Sequence, residues 1–447
     1  MRALRRVPPS EITFEPASMI DRAGRVFWWN GRIYRAIRSE HAEFYRSLFD
    51  SRNIESLFDS GLVSGEVVPL SVDGFGLVLR HQRVPVASYC MEWSAGMLKD
   101  GALLLCDLSM GLAAKGLTLR DAHPWNIMFD GGRPLFVDWG SIGLLQQQAA
   151  WPYPELRDRF LFPLYLMAAG RSSLARAFML DIVNRQSPGD VYRLLLGRIA
   201  PRLLLRYWLD DRALTRASRH VDQEFFRGLR RIIEVIPMAE QRTEWTEYEG
   251  PDGRFSHDPC EEWPAKIRNV HNLLRRLGPR TVLDVGCSRG WFSELAARQG
   301  AQVTAIDIDE PSVTKLYRHV RERKLPILPL VMDICAPTPA HGVARGYPAA
   351  EDRLRSEMVM ALAITHHLVF KRGLTFELIS RQLALFAEKW LVVEFVPPED
   401  RYVSQWVNER FAWYGLEGFV TALQVFFRRI EILESSPSPR LLLWCER

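Results

Sequence analysis

The chain has 447 residues, more than one ordinary hydrophobic core holds, so two or three domains are expected. Hydrophobic residues are 47% of it, enough for genuine cores, yet the best apolar run, Gly101 to Leu117, is broken by Cys106, Asp107 and Ser109 and does not read as a membrane span. The net charge is only +5, carried by 51 arginines and 7 lysines spread along the chain, and the six cysteines form no C-x-x-C pair. These features argue for a cytoplasmic protein with no nucleic-acid footprint, disulfide frame or structural zinc.

The N-terminus carries charge with no apolar stretch behind it, so it does not read as a secretory signal. Gly24 to Ile37 has two β-prone runs around Asn30-Gly31, a hairpin signal. Ser39 to Phe49 reads as a helix with Ser39 as candidate N-cap, and Val67 to Leu79 as a strand pair around Asp73-Gly74. Gly101 to Lys115 reads as a buried helix. From Tyr153 to Ile236, Leu, Phe and Ile recur at three- and four-residue spacing, the helical pattern. Thr243 to Pro264, polar with Gly and Pro, is the linker candidate. Strands and helices then alternate over Thr281–Val285, Phe292–Arg298, Gln302–Ile306, Val313–Arg323 and Ile327–Met332, which means a parallel sheet with crossover helices. A fourth strand is expected at Met358–Thr365 and a fifth at Trp390–Phe395.

The segment TVLDVGCSRGWFSELAARQGAQVTAIDID holds the first chemical signal. A strand ends in Asp284, and Gly286 and Gly290 follow before a helix opens. Glycines at such a turn accept positive φ and let a ligand approach the backbone. The next strand ends in Asp307, about 20 residues on, where a doubly wound sheet sets an acid against ribose hydroxyls. The third ends in Asp333, suited to an adenine amino group. Three acid-ended strands and a D-x-G-x-x-x-G turn, with Ser288 where a dinucleotide fingerprint has glycine, point to S-adenosylmethionine (SAM) rather than a pyrophosphate, which an adjacent Asp284 would repel. Asp284 would meet the ligand's ammonium, directly or through water.

From about residue 243 to the end, the chain resembles the NoeA-like family of rhizobial nodulation proteins, SAM-dependent methyltransferases, in VLDVGCSRGWFSELAA, LPILPLVMDICAPTPA, MALAITHHL and LVVEFVPPED. The resemblance implies methyl transfer to an oxygen, nitrogen or carbon nucleophile and points loosely to a glycan or specialised small-molecule acceptor. His366 or His367, expected at the carboxyl end of the fourth strand, could act as general base, or both could merely pack beside the sheet. Glu394 is a second candidate for orienting the acceptor. No metal is expected in this domain.

The run LRDAHPWNIMFDGGRPLFVDWGS has Asp121, Asn126 five residues on, and Asp138-Trp139-Gly140 after a glycine hairpin. It resembles the protein-kinase and aminoglycoside-phosphotransferase fold, where an Asp takes the acceptor proton and an Asn and a second Asp hold magnesium. The sequence departs from that pattern. No G-x-G-x-x-G loop precedes it and no lysine precedes Lys99, so the phosphate-gripping strand lysine is missing. Arg35 could stand in for it, paired with Glu40 or Glu43, although its planar fork makes the exchange non-neutral.

The expected architecture is therefore an α+β kinase-like N-terminal module followed by an α/β Rossmann-like class I methyltransferase domain. Residues 1–240 form the module (N-lobe about 1–84, C-lobe about 85–240), 241–264 a linker and 265–447 the methyltransferase domain. Asp284, Gly286, Ser288, Gly290, Asp307 and Asp333 are the expected SAM contacts. If the module is active, Asp121, Asn126, Asp138 and Arg35 would serve ATP and magnesium; otherwise it is a pseudokinase gripping nucleotide or substrate. The rival readings are a bifunctional kinase-methyltransferase acting on one acceptor and a non-catalytic scaffold.

Overall fold

The computed structural model describes residues 4–50, 54–147, 151–180, 201–218, 221–238, 243–245 and 254–447. The chain separates into two compact units, residues 1–241 with 340–347, and residues 242–339 with 348–447. Residues 340–347, expected within the second domain, thus cluster with the first unit. Among the described residues no helix is long and apolar enough to cross a membrane.

The first unit opens with a five-stranded sheet in the order Thr13–Phe14, Gly24–Trp29, Arg32–Arg38, Phe75–His81, Gly65–Val67, all pairs antiparallel. The central hairpin turns at Asn30 and Gly31, both at positive φ as a two-residue turn matched to strand twist requires. The helix Ser39–Asp50 buries Ala42, Tyr45 and Leu48, one face at three-residue spacing. The next long helix, Ala95–Ala113, starts six residues before the expected Gly101, because the Ser94 side chain caps it by accepting from the Met97 N–H. Two short antiparallel pairs follow, Leu117–Leu119 with Ile142–Leu144 and Ile127–Asp130 with Arg133–Phe136. Helices then dominate, among them Phe162–Ala168, Ser172–Leu180, Pro201–Ala217 and Gln223–Val235. The part of the expected helical stretch at 181–200 lies outside the described residues. A small sheet-rich lobe followed by a larger helical one is the kinase-like arrangement.

The second unit is built on a seven-stranded sheet in the order Ile327–Val331, Gln302–Asp307, Thr281–Val285, Ser356–Ala361, Ala387–Phe395, Leu441–Glu446, Arg429–Glu434. The first five strands are parallel; Leu441–Glu446 alone runs antiparallel to them, and the edge strand Arg429–Glu434, antiparallel to it, again points the same way as the first five. The central strands are buried residue after residue, as sheets covered on both faces must be. The chain's first strand here lies mid-sheet, with the next two on one side and the later ones on the other. That reversal leaves a crevice at the strands' carboxyl ends, where doubly wound folds bind ligands. The order is that of a class I methyltransferase. Two expectations change. The strand expected at Met358–Thr365 ends at Ala361, because Ala363 takes a positive φ that breaks the extended backbone, and His366 and His367 sit on the helix Thr365–Phe370 instead. The expected linker is also partly structured: Trp263 lies in this unit's hydrophobic core and Phe255 packs against it.

Candidate active site

A cavity of about 610 Å³ opens at the carboxyl ends of the four strands Thr281–Val285, Gln302–Asp307, Ile327–Val331 and Ser356–Ala361. Each of the turns leaving these strands contributes wall residues: Gly286 and Ser288, Asp307 to Asp309, Met332 to Ile334, and Leu362 to Ile364.

At the glycine turn Gly286, Ser288 and Gly290 all have positive φ. Gly286 and Ser288 line the cavity, whereas Gly290 does not. A Cβ on Gly290 would come within 2.3 Å of Leu316, so that glycine lets the helix Glu310–Arg323 pack closely. The Ser288 N–H donates to Asp307 Oδ2 at 2.7 Å and the Asp309 N–H to Oδ1 at 2.8 Å, which fixes the carboxylate on the cavity wall. Burial raises the Asp307 carboxyl above its ordinary range, and these backbone donors oppose the rise. Asp333 also lines the cavity; it accepts from the Cys335 N–H at 2.9 Å and from Arg372 at 2.7 Å.

Asp284 is brought close in sequence but not to the wall. It is 3% exposed, its Oδ2 accepts from Ser293 Oγ at 2.5 Å, and burial pushes its carboxyl up to about 6. It belongs to the support behind the turn. Glu394 likewise does not line the cavity. Fully buried, it holds Lys266 Nζ at 2.7 Å and accepts from Ser435 Oγ at 2.5 Å, an internal ion pair set away from the cavity wall.

His366 and His367 both line the cavity, their rings 4.1 Å apart between centroids. The Nδ1 atom of each is buried without a hydrogen-bond partner. Burial, then the neighbouring imidazole, lowers His366 to about 2; burial, then Lys371, lowers His367 to about 4. Both rings are therefore neutral at neutral pH.

Sequence reasoning missed much of the rest of the wall, including Trp245, Lys371, Arg372, Tyr402, Trp406 and Arg440. Only the run of aromatics in RYVSQW signalled any of it. Lys371 Nζ holds both oxygens of Glu244 at 2.9 Å and lies 4.8 Å from the Trp245 ring centroid.

In the first unit, Arg35 is 5% exposed, and its partners are Asp21 and Asp138 (3.2 Å), not the expected Glu40 or Glu43. Those glutamates lie on the following helix, whereas the guanidinium points from its strand toward Asp138. Asp21 precedes the hairpin, where nothing in the sequence marks it. Burial raises its carboxyl, with Asp138 adding to the effect against Arg35. It also stands within electrostatic reach of Asp121, whose own carboxyl is raised by lost hydration first and by Glu155 second. The Asp121 loop is tied to the Asp138 turn: Ser141 Oγ accepts from the Asp121 N–H at 2.9 Å, and the Asn126 carbonyl accepts from the Val137 N–H at 2.8 Å. The Asn126 amide nitrogen is buried without a partner. Trp139 anchors this turn, stacked on Phe49 and donating to the Val63 carbonyl at 3.0 Å.

The family model described as a methyltransferase domain matches residues 282–344. The nodulation protein NoeA of Rhizobium meliloti (strain 1021) is 26% identical over 436 residues, covering 91% of this chain and 90% of NoeA. The O-antigen chain terminator bifunctional methyltransferase/kinase WbdD of Escherichia coli is 25% identical over 178 residues, 37% of this chain and 24% of WbdD. A crystal structure of WbdD aligns with a TM-score of 0.31 at 20% identity, over 42% of this chain and 41% of that one, so the matched part is less than half of WbdD. The magnesium protoporphyrin IX methyltransferase ChlM from Synechocystis PCC 6803, with bound S-adenosylhomocysteine (SAH), aligns with a TM-score of 0.29 at 19% identity, over 40% of this chain and 81% of that one. The second unit is thus a methyltransferase domain, and the resemblance to NoeA extends over nearly the whole chain rather than the C-terminal half alone.

Proposed function

We propose that the second unit transfers a methyl group from SAM to a glycan or specialised small molecule, and that the first is a kinase-like module that grips a ligand without transferring phosphate. The observation that carries the first half is Asp307, held by two backbone N–H groups on the wall of a cavity large enough for a nucleoside and an acceptor. Its remaining lone pairs suit the ribose hydroxyls, Asp333 the adenine amino group, and Gly286 and Ser288 the amino-acid portion. SAM supplies a methyl carbon on a positively charged sulfur. As the acceptor's new bond to carbon forms and the carbon–sulfur bond breaks, the acceptor's proton has two neutral imidazoles to pass to, His366 and His367. Positive charge then leaves the sulfur as it arrives on an imidazole, so the cavity's net charge is unchanged. This offsets the penalty that burial otherwise sets on an imidazolium.

For the first unit, the supporting observation is that Arg35, the only candidate the sequence offered for the missing lysine, is already held by Asp21 and Asp138. A guanidinium between two carboxylates is a fixed counter-ion and is not free to grip phosphate. A thermal-shift series with SAM, SAH, ATP, and ATP with magnesium tests both halves: SAM and SAH should raise the melting temperature, and ATP with magnesium should not. A magnesium-dependent ATP shift, abolished by Asp138→Ala, would instead favour the bifunctional reading.

A further inference from the structure

Residues 340–347 lie in the chain between the strands Ile327–Val331 and Ser356–Ala361, yet they belong to the first unit. They close a small hairpin. The His341 N–H donates to the Tyr347 carbonyl at 3.0 Å, and the Tyr347 N–H to the His341 carbonyl at 3.1 Å. The two side-chain rings stack, 5.1 Å between centroids at an interplanar angle of 11°. Gly342, at φ +77°, makes this stack possible, because a Cβ there would come within 2.5 Å of the Tyr347 ring.

The hairpin's neighbours come from separate parts of the kinase-like module. Trp125, next to Asn126, lies 5.1 Å from the His341 ring and 4.9 Å from that of Tyr347. Tyr89, on the connection from the strand Phe75–His81 to the helix Ala95–Ala113, meets the same two rings edge-on at 5.1 and 5.8 Å. A Cβ on Gly346 would lie 3.4 Å from the Pro16 side chain, so the connection from Thr13–Phe14 to Gly24–Trp29 reaches the hairpin as well. Burial raises the Tyr347 phenol, and Cys90 and then Asp138 add to the rise, which places both within its electrostatic reach. A kinase fold holds its nucleotide among these same parts: a loop over the phosphates, the catalytic-loop Asn and the magnesium-holding Asp. Trp125 and Tyr89 offer ring contacts that would serve a flat base as well as they serve an imidazole and a phenol.

We propose that the kinase-like cleft is the docking site of the chain's own hairpin His341–Tyr347, which takes the place of a nucleotide base and excludes it. The proposal rests on the reading of this unit as a module that grips a ligand, and it names that ligand. A tethered occupant acts at an effective concentration of about millimolar, so a free nucleoside meets a site already taken.

The test uses the full chain saturated with SAH, so that adenosine, the probe, cannot enter the methyltransferase cavity. Amide hydrogen exchange over 340–347 reports the hairpin and calorimetry reports adenosine. Trp125→Ala should speed that exchange about tenfold, the effect of losing two aromatic contacts. Tyr347→Ala vacates the cleft but keeps Trp125 and Tyr89, so it should bind adenosine at least about tenfold more tightly than wild type. Trp125→Ala, which lacks the stacking face, should show no such gain. In wild type, excess adenosine should itself speed exchange over 340–347, a readout that needs no variant. Exchange over 340–347 unaltered by Trp125→Ala, adenosine bound to wild type with the hairpin's exchange unchanged, or no gain in a Tyr347→Ala protein of normal melting temperature overturns the docking site. Magnesium-dependent ATP binding to Tyr347→Ala that is tighter than adenosine binding and lost with Asp138→Ala would overturn the phosphate-free reading of this unit and leave the hairpin's docking standing.

Discussion

Asp307→Asn tests the SAM reading most directly. The carboxylate accepts from the Ser288 N–H at 2.7 Å and the Asp309 N–H at 2.8 Å, one bond per oxygen. A carboxylate has about four acceptor sites, so one lone pair per oxygen remains for the two ribose hydroxyls. The amide keeps one acceptor oxygen and turns the other into a donor facing an N–H. The net loss is one hydrogen bond to a charged acceptor plus the charge itself, about 2–3 kcal/mol. That corresponds to a Kd for SAH about 30–150-fold weaker. Calorimetry at pH 7.5 reads it, with the melting temperature recorded alongside because the same side chain steadies the turn. Since burial raises the Asp307 carboxyl, wild-type affinity should fall on acidification earlier than an ordinary aspartate would dictate. A change below threefold with an unaltered melting temperature would remove Asp307 from the ribose and the reasoning with it.

Asp284 titrates near 6 in the fold against an ordinary 3.8, so the folded state binds its proton more tightly than the unfolded chain. Wild type should then lose up to about 3 kcal/mol of stability as pH rises from about 4 to 6, and Asp284→Asn should not; superimposable pH–stability curves would contradict the burial argument. Gly290→Ala forces a side chain onto φ +82° and into Leu316. It should destabilise by about 1–3 kcal/mol in urea melts, whereas Gly286→Val, at the cavity wall, should chiefly abolish SAH binding. Arg35→Ala leaves Asp21 and Asp138 uncompensated and should cost about 3 kcal/mol. Asp21→Asn in the same chain should restore part of it, and an unchanged urea midpoint in Arg35→Ala would mean the triad is not a structural counter-ion.

Local pattern was enough for the hairpin at Asn30-Gly31, the strand–turn–helix at Thr281–Arg298 and the alternation of parallel strands with helices, because turn chemistry and hydrophobic period act over a few residues. It also marked Asp307 and Asp333 as cavity residues, since the end of a parallel strand at a switch point is a position in the topology and the topology follows from alternation. What a side chain meets across the fold was not legible. Asp284 and Glu394 sit at strand ends like the others. One is taken up by Ser293 and the other by Lys266 and Ser435, partners 9, 128 and 41 residues away in the chain. Arg35 found Asp21 and Asp138, the latter 103 residues on, in preference to the glutamates on the adjoining helix. The two histidines were visible as a pair, but not that a positive φ at Ala363 lifts them off the strand and onto a helix, with Trp406 and Trp245 closing around them. Those outcomes depend on which distant groups share a desolvated volume. Sequence names the candidates for such a volume, and only the packed chain decides which of them must satisfy one another and which are left facing the cavity.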